Sequence, residues 1–143
     1  YQDARLLFVG DERGNNAGTI DVKLDISLQG NQFTHYYFEM RPQVEYANLQ
    51  GGKYVSWLIN GGWVFNQMFQ DVEMGAYLTI GAIHRFGGSF GTYGITADLS
   101  YKVGKLKISL LAQTINRSDL TFMYNTNNPM KFNGYVGLKY NLL

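Results

Sequence analysis

The chain contains no cysteine, which excludes a disulfide framework and any thiolate metal centre. Proline is nearly missing too, with only Pro42 and Pro129, so nothing interrupts long strands. Charged residues make up 16% of the 143 positions, well under the roughly 25% of an ordinary soluble domain. The net charge of +1 provides no basic stripe, so no nucleic-acid partner is expected. No apolar run approaches the roughly 18 residues of a membrane-spanning helix. No leader segment is visible; an exported chain would begin near Tyr1 once its signal peptide is removed, and a cytosolic chain would look the same.

What the sequence does have is aromatics, at 15% with 11 Tyr, and 17 Gly. It also has a persistent period of two. Ile20, Val22, Leu24, Ile26 and Leu28 alternate with Asp21, Lys23, Asp25 and Ser27. Tyr36, Phe38, Met40, Pro42, Val44 and Tyr46 alternate with His35, Tyr37, Glu39, Arg41, Gln43 and Glu45. Further runs follow at 54–65, 72–85, 93–101 and 106–113, then a short one at Leu120, Phe122 and Tyr124, and a last one at 132–142. Alternation of this kind is that of strands and cannot form a helix face.

Compact turn signals separate the runs, among them Gln29-Gly30-Asn31, Phe86-Gly87-Gly88, Val103-Gly104-Lys105 and Arg117-Ser118-Asp119. No connection exceeds about six residues, close to ordinary hairpin length. Strands joined so tightly are antiparallel neighbours, and eight of them can close and remove both edges. The expected fold is all-β, an antiparallel up-and-down transmembrane β-barrel of about eight strands with short turns, over residues 19–143. Residues 1–18 fit less well and read as a tail or an extra strand, with the tail preferred because single-chain bacterial barrels have even strand numbers.

Alternation leaves open which face points inward, since a soluble barrel also has one apolar face. Several runs place aromatics at both ends with aliphatics between, as in Tyr93-Ile95-Ala97-Leu99-Tyr101. Tyr and Trp suit the headgroup level of a bilayer, having an apolar ring and a polar tip. Tyr36, Tyr46, Trp57, Trp63, Tyr93, Tyr101, Phe132 and Tyr140 are the candidate interface aromatics. The other face balances Asp21, Asp25, Glu39, Glu45, Glu73 and Asp98 against Lys23, Arg41, Arg85, Lys102, Lys107 and Lys139. Balanced signs suit a narrow lumen, where buried charges must be paired. Glu39 with Arg41, and Glu73 with Arg85, are the expected bridges.

The ending Gly134-Tyr135-Val136-Gly137-Leu138-Lys139-Tyr140-Asn141-Leu142 resembles the terminal strand of outer-membrane barrels. More broadly, residues 19–143 resemble the eight-stranded OmpX- and OmpA-type barrels in pattern. The resemblance implies a bacterial outer-membrane location with both termini in the periplasm. It also implies that the connections near Gly30, Gln67, Gly104 and Asn127 face outside.

Little in the sequence points to catalysis. His35 and His84 are the only histidines; a Ser, His and acid arrangement of His84 with Ser89 or Ser100 can be imagined, but no His-x-Ser pair exists. Neither cofactor nor metal is expected. The leading expectation is a non-enzymatic barrel with a structural or accessory role, contacting outer-membrane lipid and other envelope proteins as a subunit or anchor. Two alternatives stay open: a narrow ion pore gated by lumen charges, and a soluble lipocalin-like barrel holding an apolar ligand.

Overall fold

A computed structural model describes residues 2–8, 20–49, 52–125 and 127–140. Among these residues nine strands and one helix follow in chain order: β1 (Gln2–Phe8), β2 (Ile20–Ile26), β3 (Leu28–Gln32), β4 (Tyr36–Leu49), β5 (Gly52–Phe69), β6 (Val72–Arg85), β7 (Gly88–Val103), β8 (Leu106–Asn116), α1 (Ser118–Tyr124) and β9 (Met130–Tyr140). All pairings are antiparallel. β2 and β3 lie in line along β4, interrupted at Ser27, so the nine segments fill eight strand positions.

The sheet is an up-and-down meander that curls until its ends meet. β1 pairs with β2 on one side and with β9 on the other, and β2 pairs with β4. The stagger of the curl follows from the register. From Ala4, the route through Leu24, Val44, Trp57 and Ala82 reaches Gly91 on β7. The opposite route, through Leu138 and Ile108, reaches Tyr101 on that same strand, ten residues further along. Ten residues over eight strands, at about 3.3 Å per residue and about 4.8 Å between strands, tilts the strands by about 40°.

Tight hairpins need backbone that L side chains avoid. Phe86 and Gly87, at φ 52° and 75°, make a two-residue turn whose twist matches the flanking strands. At the β7–β8 turn, Gly104 takes φ 64°.

Three expectations change. The run Leu120, Phe122, Tyr124 is part of helix α1 and not a strand. Three alternating residues are too few to distinguish the periods, and Asn125, at φ 50°, closes the helix by donating its N–H to the Thr121 carbonyl. The eighth strand position is filled instead by β1, inside the 1–18 segment; residues 9–19 lie outside the described residues. Nor are all connections short: residues 117–129 link β8 to β9 through α1.

Adding a strand at the front reverses the direction of β2 to β8, and replacing the 120–124 strand by α1 restores that of β9. The turns at Phe33–His35, Gln70–Asp71 and Gly104–Lys105 therefore share an end with Gln2 and Tyr140, and the connection containing Asn127 emerges at the opposite end. The grouping of Gly30, Gln67, Gly104 and Asn127 on the side away from the termini does not hold.

Candidate functional site

The alternating residues sort into an apolar exterior and a mostly polar interior, which also takes in Leu58, Val64, Ile83, Leu111 and Ile115. On β7, Thr92, Thr96, Asp98 and Ser100 are buried while Tyr93, Ile95, Leu99 and Tyr101 are exposed. The largest fully buried side chains include Arg41, Arg85 and Lys23, whereas the exposed ones include Trp57, Leu78, Ile80, Ile95 and Leu110. This inverts the arrangement of a water-soluble core.

Arg41, only 1% exposed, is the hub of the interior. Its Nη1 donates to Asp98 Oδ2 at 2.8 Å and its Nη2 to Asp25 Oδ2 at 2.9 Å. Its Nε lies 4.0 Å from Glu39 Oε1. Around this hub the carboxylates take further donors. The Tyr77 hydroxyl donates to Glu39 Oε2 at 2.7 Å, Ser27 also donates to Glu39, and Lys139 pairs with Asp98. A planar guanidinium suits the centre because its fork addresses several carboxylates at once.

A second pair is nearby. Lys23 Nζ lies 3.3 Å from Glu45 Oε2 and 3.6 Å from the centroid of the Tyr135 ring. Beside Arg41, towards α1, runs a neutral ladder. Asn60 Nδ2 donates to Gln43 Oε1 at 3.0 Å, Thr79 donates to Asn60 Oδ1 at 2.7 Å, and Gln113 Nε2 donates to Thr96 at 2.9 Å. Hydroxyls and amides can both give and accept, so they pass hydrogen bonds across strands without adding charge.

Glu73 and Arg85 do not meet, because they stand at opposite ends of β6. Lys107 Nζ bonds Glu73 Oε2 at 2.6 Å near the termini, and Arg85 Nη1 lies 3.6 Å from Asp119 Oδ2 at the other end. Lys102 is exposed at the end of β7, away from the buried network, and the Asp21 side chain lies outside the described residues. Near the termini a water-sized cavity of about 20 Å³ is lined by Glu39, Glu73, Asp98, Lys107 and Lys139, among others.

Two residues of this interior escaped sequence reading. Arg117 and Asp119 sat in what read as a turn, yet Arg117 Nε and Nη2 donate to the two oxygens of Asp119 at 2.8 and 2.9 Å. Asp119 is fully buried and the Arg117 guanidinium lies 5.0 Å from the centroid of the Tyr54 ring, so the start of α1 caps this end of the interior. Burial is the largest single influence on Arg117 and opposes its charge, but the forked bond to Asp119 together with the charges of Tyr54, Asp119 and Glu45 outweighs it and lifts the pKa above the ordinary arginine value. A polar pair ending the alternating β8 run was the only available signal.

Outside, Tyr36, Tyr46, Trp57, Trp63, Tyr93, Tyr101, Phe132 and Tyr140 are all exposed. With the strand tilt applied, Tyr46, Trp57, Tyr93 and Phe132 fall at one level. Phe65, Tyr101 and Tyr140, flanked by Tyr36, Phe38 and Trp63, fall about 20 Å away along the axis. Between the two belts the exposed residues are aliphatic, including Leu24, Ile26, Val44, Ile59, Leu78, Ile95, Leu110 and Val136. His84 sits beyond the first belt, where Trp57 Nε1 donates to its Nε2 at 2.7 Å.

Among the described residues, no group of three or more His, Cys, Asp or Glu is placed to hold a metal ion. No helix among them is long and apolar enough to cross a membrane, which says nothing about crossing by strands. No protein-family model, curated protein or solved structure matches the chain.

Proposed function

We propose that this chain is an integral β-barrel of the bacterial outer membrane, of the small OmpX- and OmpA-type architecture. The observation that carries this reading is an apolar outer wall bracketed by two aromatic belts around a charge-paired interior. A belt separation of about 20 Å approaches the roughly 25 Å apolar band of outer-membrane barrels. In water the same wall would leave an apolar surface far larger than soluble monomers tolerate. The polar interior also weighs against a lipocalin-like carrier, whose ligand needs an apolar cavity.

Within that setting the role we assign is structural or accessory, as an anchor or subunit of a larger envelope assembly. A lumen packed with paired side chains favours rigidity over passage, and the Arg41 hub lies across the path an ion would take. Planar-bilayer recording tests the pore alternative, with no conductance above lipid background expected.

The membrane placement is tested by refolding the chain into neutral phosphatidylcholine vesicles. Co-flotation with lipid is expected, together with a folded form that resists SDS until heated. A monomer that stays soluble without detergent or lipid would overturn the reading.

A further inference from the structure

Beyond the first aromatic belt, the outer wall carries a cleft of about 480 Å³ whose lining includes Lys53 from β5, His84 from β6, Ser89 from β7, and Gly87 and Gly88 of the β6–β7 hairpin. No carboxylate lines it among the described residues. Arg85 also borders the cleft, but its guanidinium faces Asp119 across the interior, which leaves Lys53 as the cation available to a ligand. Indole N–H can only donate, so the Trp57 bond to His84 Nε2 leaves the proton of the neutral ring on Nδ1. The cleft thus presents an ammonium, an imidazole N–H and a hydroxyl, all donors.

Its height matters as much as its chemistry. Lys53 lies four residues beyond Trp57 on β5, or about 10 Å further along the axis at the strand tilt. If the belt marks the edge of the hydrocarbon, the cleft faces the polar layer of the bilayer. The exposed Trp57 and Ile59 continue the wall beneath it.

We propose that this cleft binds the phosphate of an anionic lipid headgroup, with the lipid's chains lying along the wall below. The proposal rests on the membrane placement above. A single ammonium with two neutral donors holds free phosphate weakly in water, because one exposed ion pair contributes little. A lipid is held at both ends, by the donors and by its chains.

The test uses the full chain in neutral detergent micelles and native mass spectrometry. Retained adducts are compared for phosphatidylglycerol, phosphatidylcholine and inorganic phosphate. Wild type should retain phosphatidylglycerol about fivefold more than phosphatidylcholine, the size of one lysine near an anionic headgroup. Lys53→Gln should bring the two lipids level and His84→Phe should narrow the gap, while Lys102→Gln at the other end should leave it unchanged. Equal retention of both lipids by wild type, or a preference that survives Lys53→Gln, would overturn the proposal. Phosphate retained as well as phosphatidylglycerol would overturn the lipid assignment. These failures leave the membrane reading intact if the chain still floats with neutral vesicles; failure to float removes both.

Discussion

Ile95 and Thr96 are neighbours on β7, yet one is 61% exposed and the other 3%. Ile95 lies among Leu78, Thr114 and other outward positions of the adjacent strands, whereas Thr96 takes a hydrogen bond from Gln113 and shares one with Thr79. The apolar side chain is the one left out and the polar one is the one packed in. A single strand therefore has two solvents to satisfy. Its interior supplies partners, and its exterior asks for a medium in which partners are not needed.

The largest effect expected from disturbing that contrast is at its hub. Arg41→Leu leaves Asp25, Asp98 and Glu39 around an apolar side chain, and breaking a buried pair in this way costs about 3–5 kcal/mol. Urea unfolding in lipid, followed by loss of heat-modifiable mobility, should show the midpoint falling sharply. Next comes the exterior: Ile95→Arg should cost about 2–4 kcal/mol in a bilayer but stay within about 0.5 kcal/mol if the wall faces water. This substitution separates the two settings directly. Thr96→Val, one residue away and facing inward, removes the acceptor for Gln113 Nε2 and should cost about 1–2 kcal/mol in the same assay. The smallest effect compares strands and not faces. Amides of β1 and β9 along their shared pairing should exchange with deuterium sooner than those of β5 and β6, where pairing runs from Tyr54–Arg85 to Phe65–Met74.

The legible part of the fold was the part that alternates. In β4, β6 and β7 every step changes face, so sequence placed these strands and sorted their residues. Gln2–Phe8 was ambiguous because Leu6, Leu7 and Phe8 are apolar in succession, which hides the period of two. The site was legible as composition and not as pairing. A glance at β6 suggests Glu73 and Arg85 as partners, but cross-strand neighbours depend on stagger, a property of the closed sheet that no single strand encodes. Asp119 could not be placed at all, since its role comes from α1 folding back over Arg85 and Tyr54.

The short pairing that closes the sheet has a consequence for time. Among the described residues β1 and β9 meet only from Gln2–Tyr140 to Ala4–Leu138, while β4 and β5 pair from Tyr36–Phe65 to Leu49–Gly52. The hairpins from β4 to β8 close short loops and form quickly, but the β1–β9 contact closes almost the whole chain and carries the greatest entropic delay. By that argument it is the step expected last in assembly. Until it forms, both strands carry bare edges, which hydrocarbon does not tolerate. In the membrane setting proposed above, closing and inserting would be one event, paced by the search for that seam.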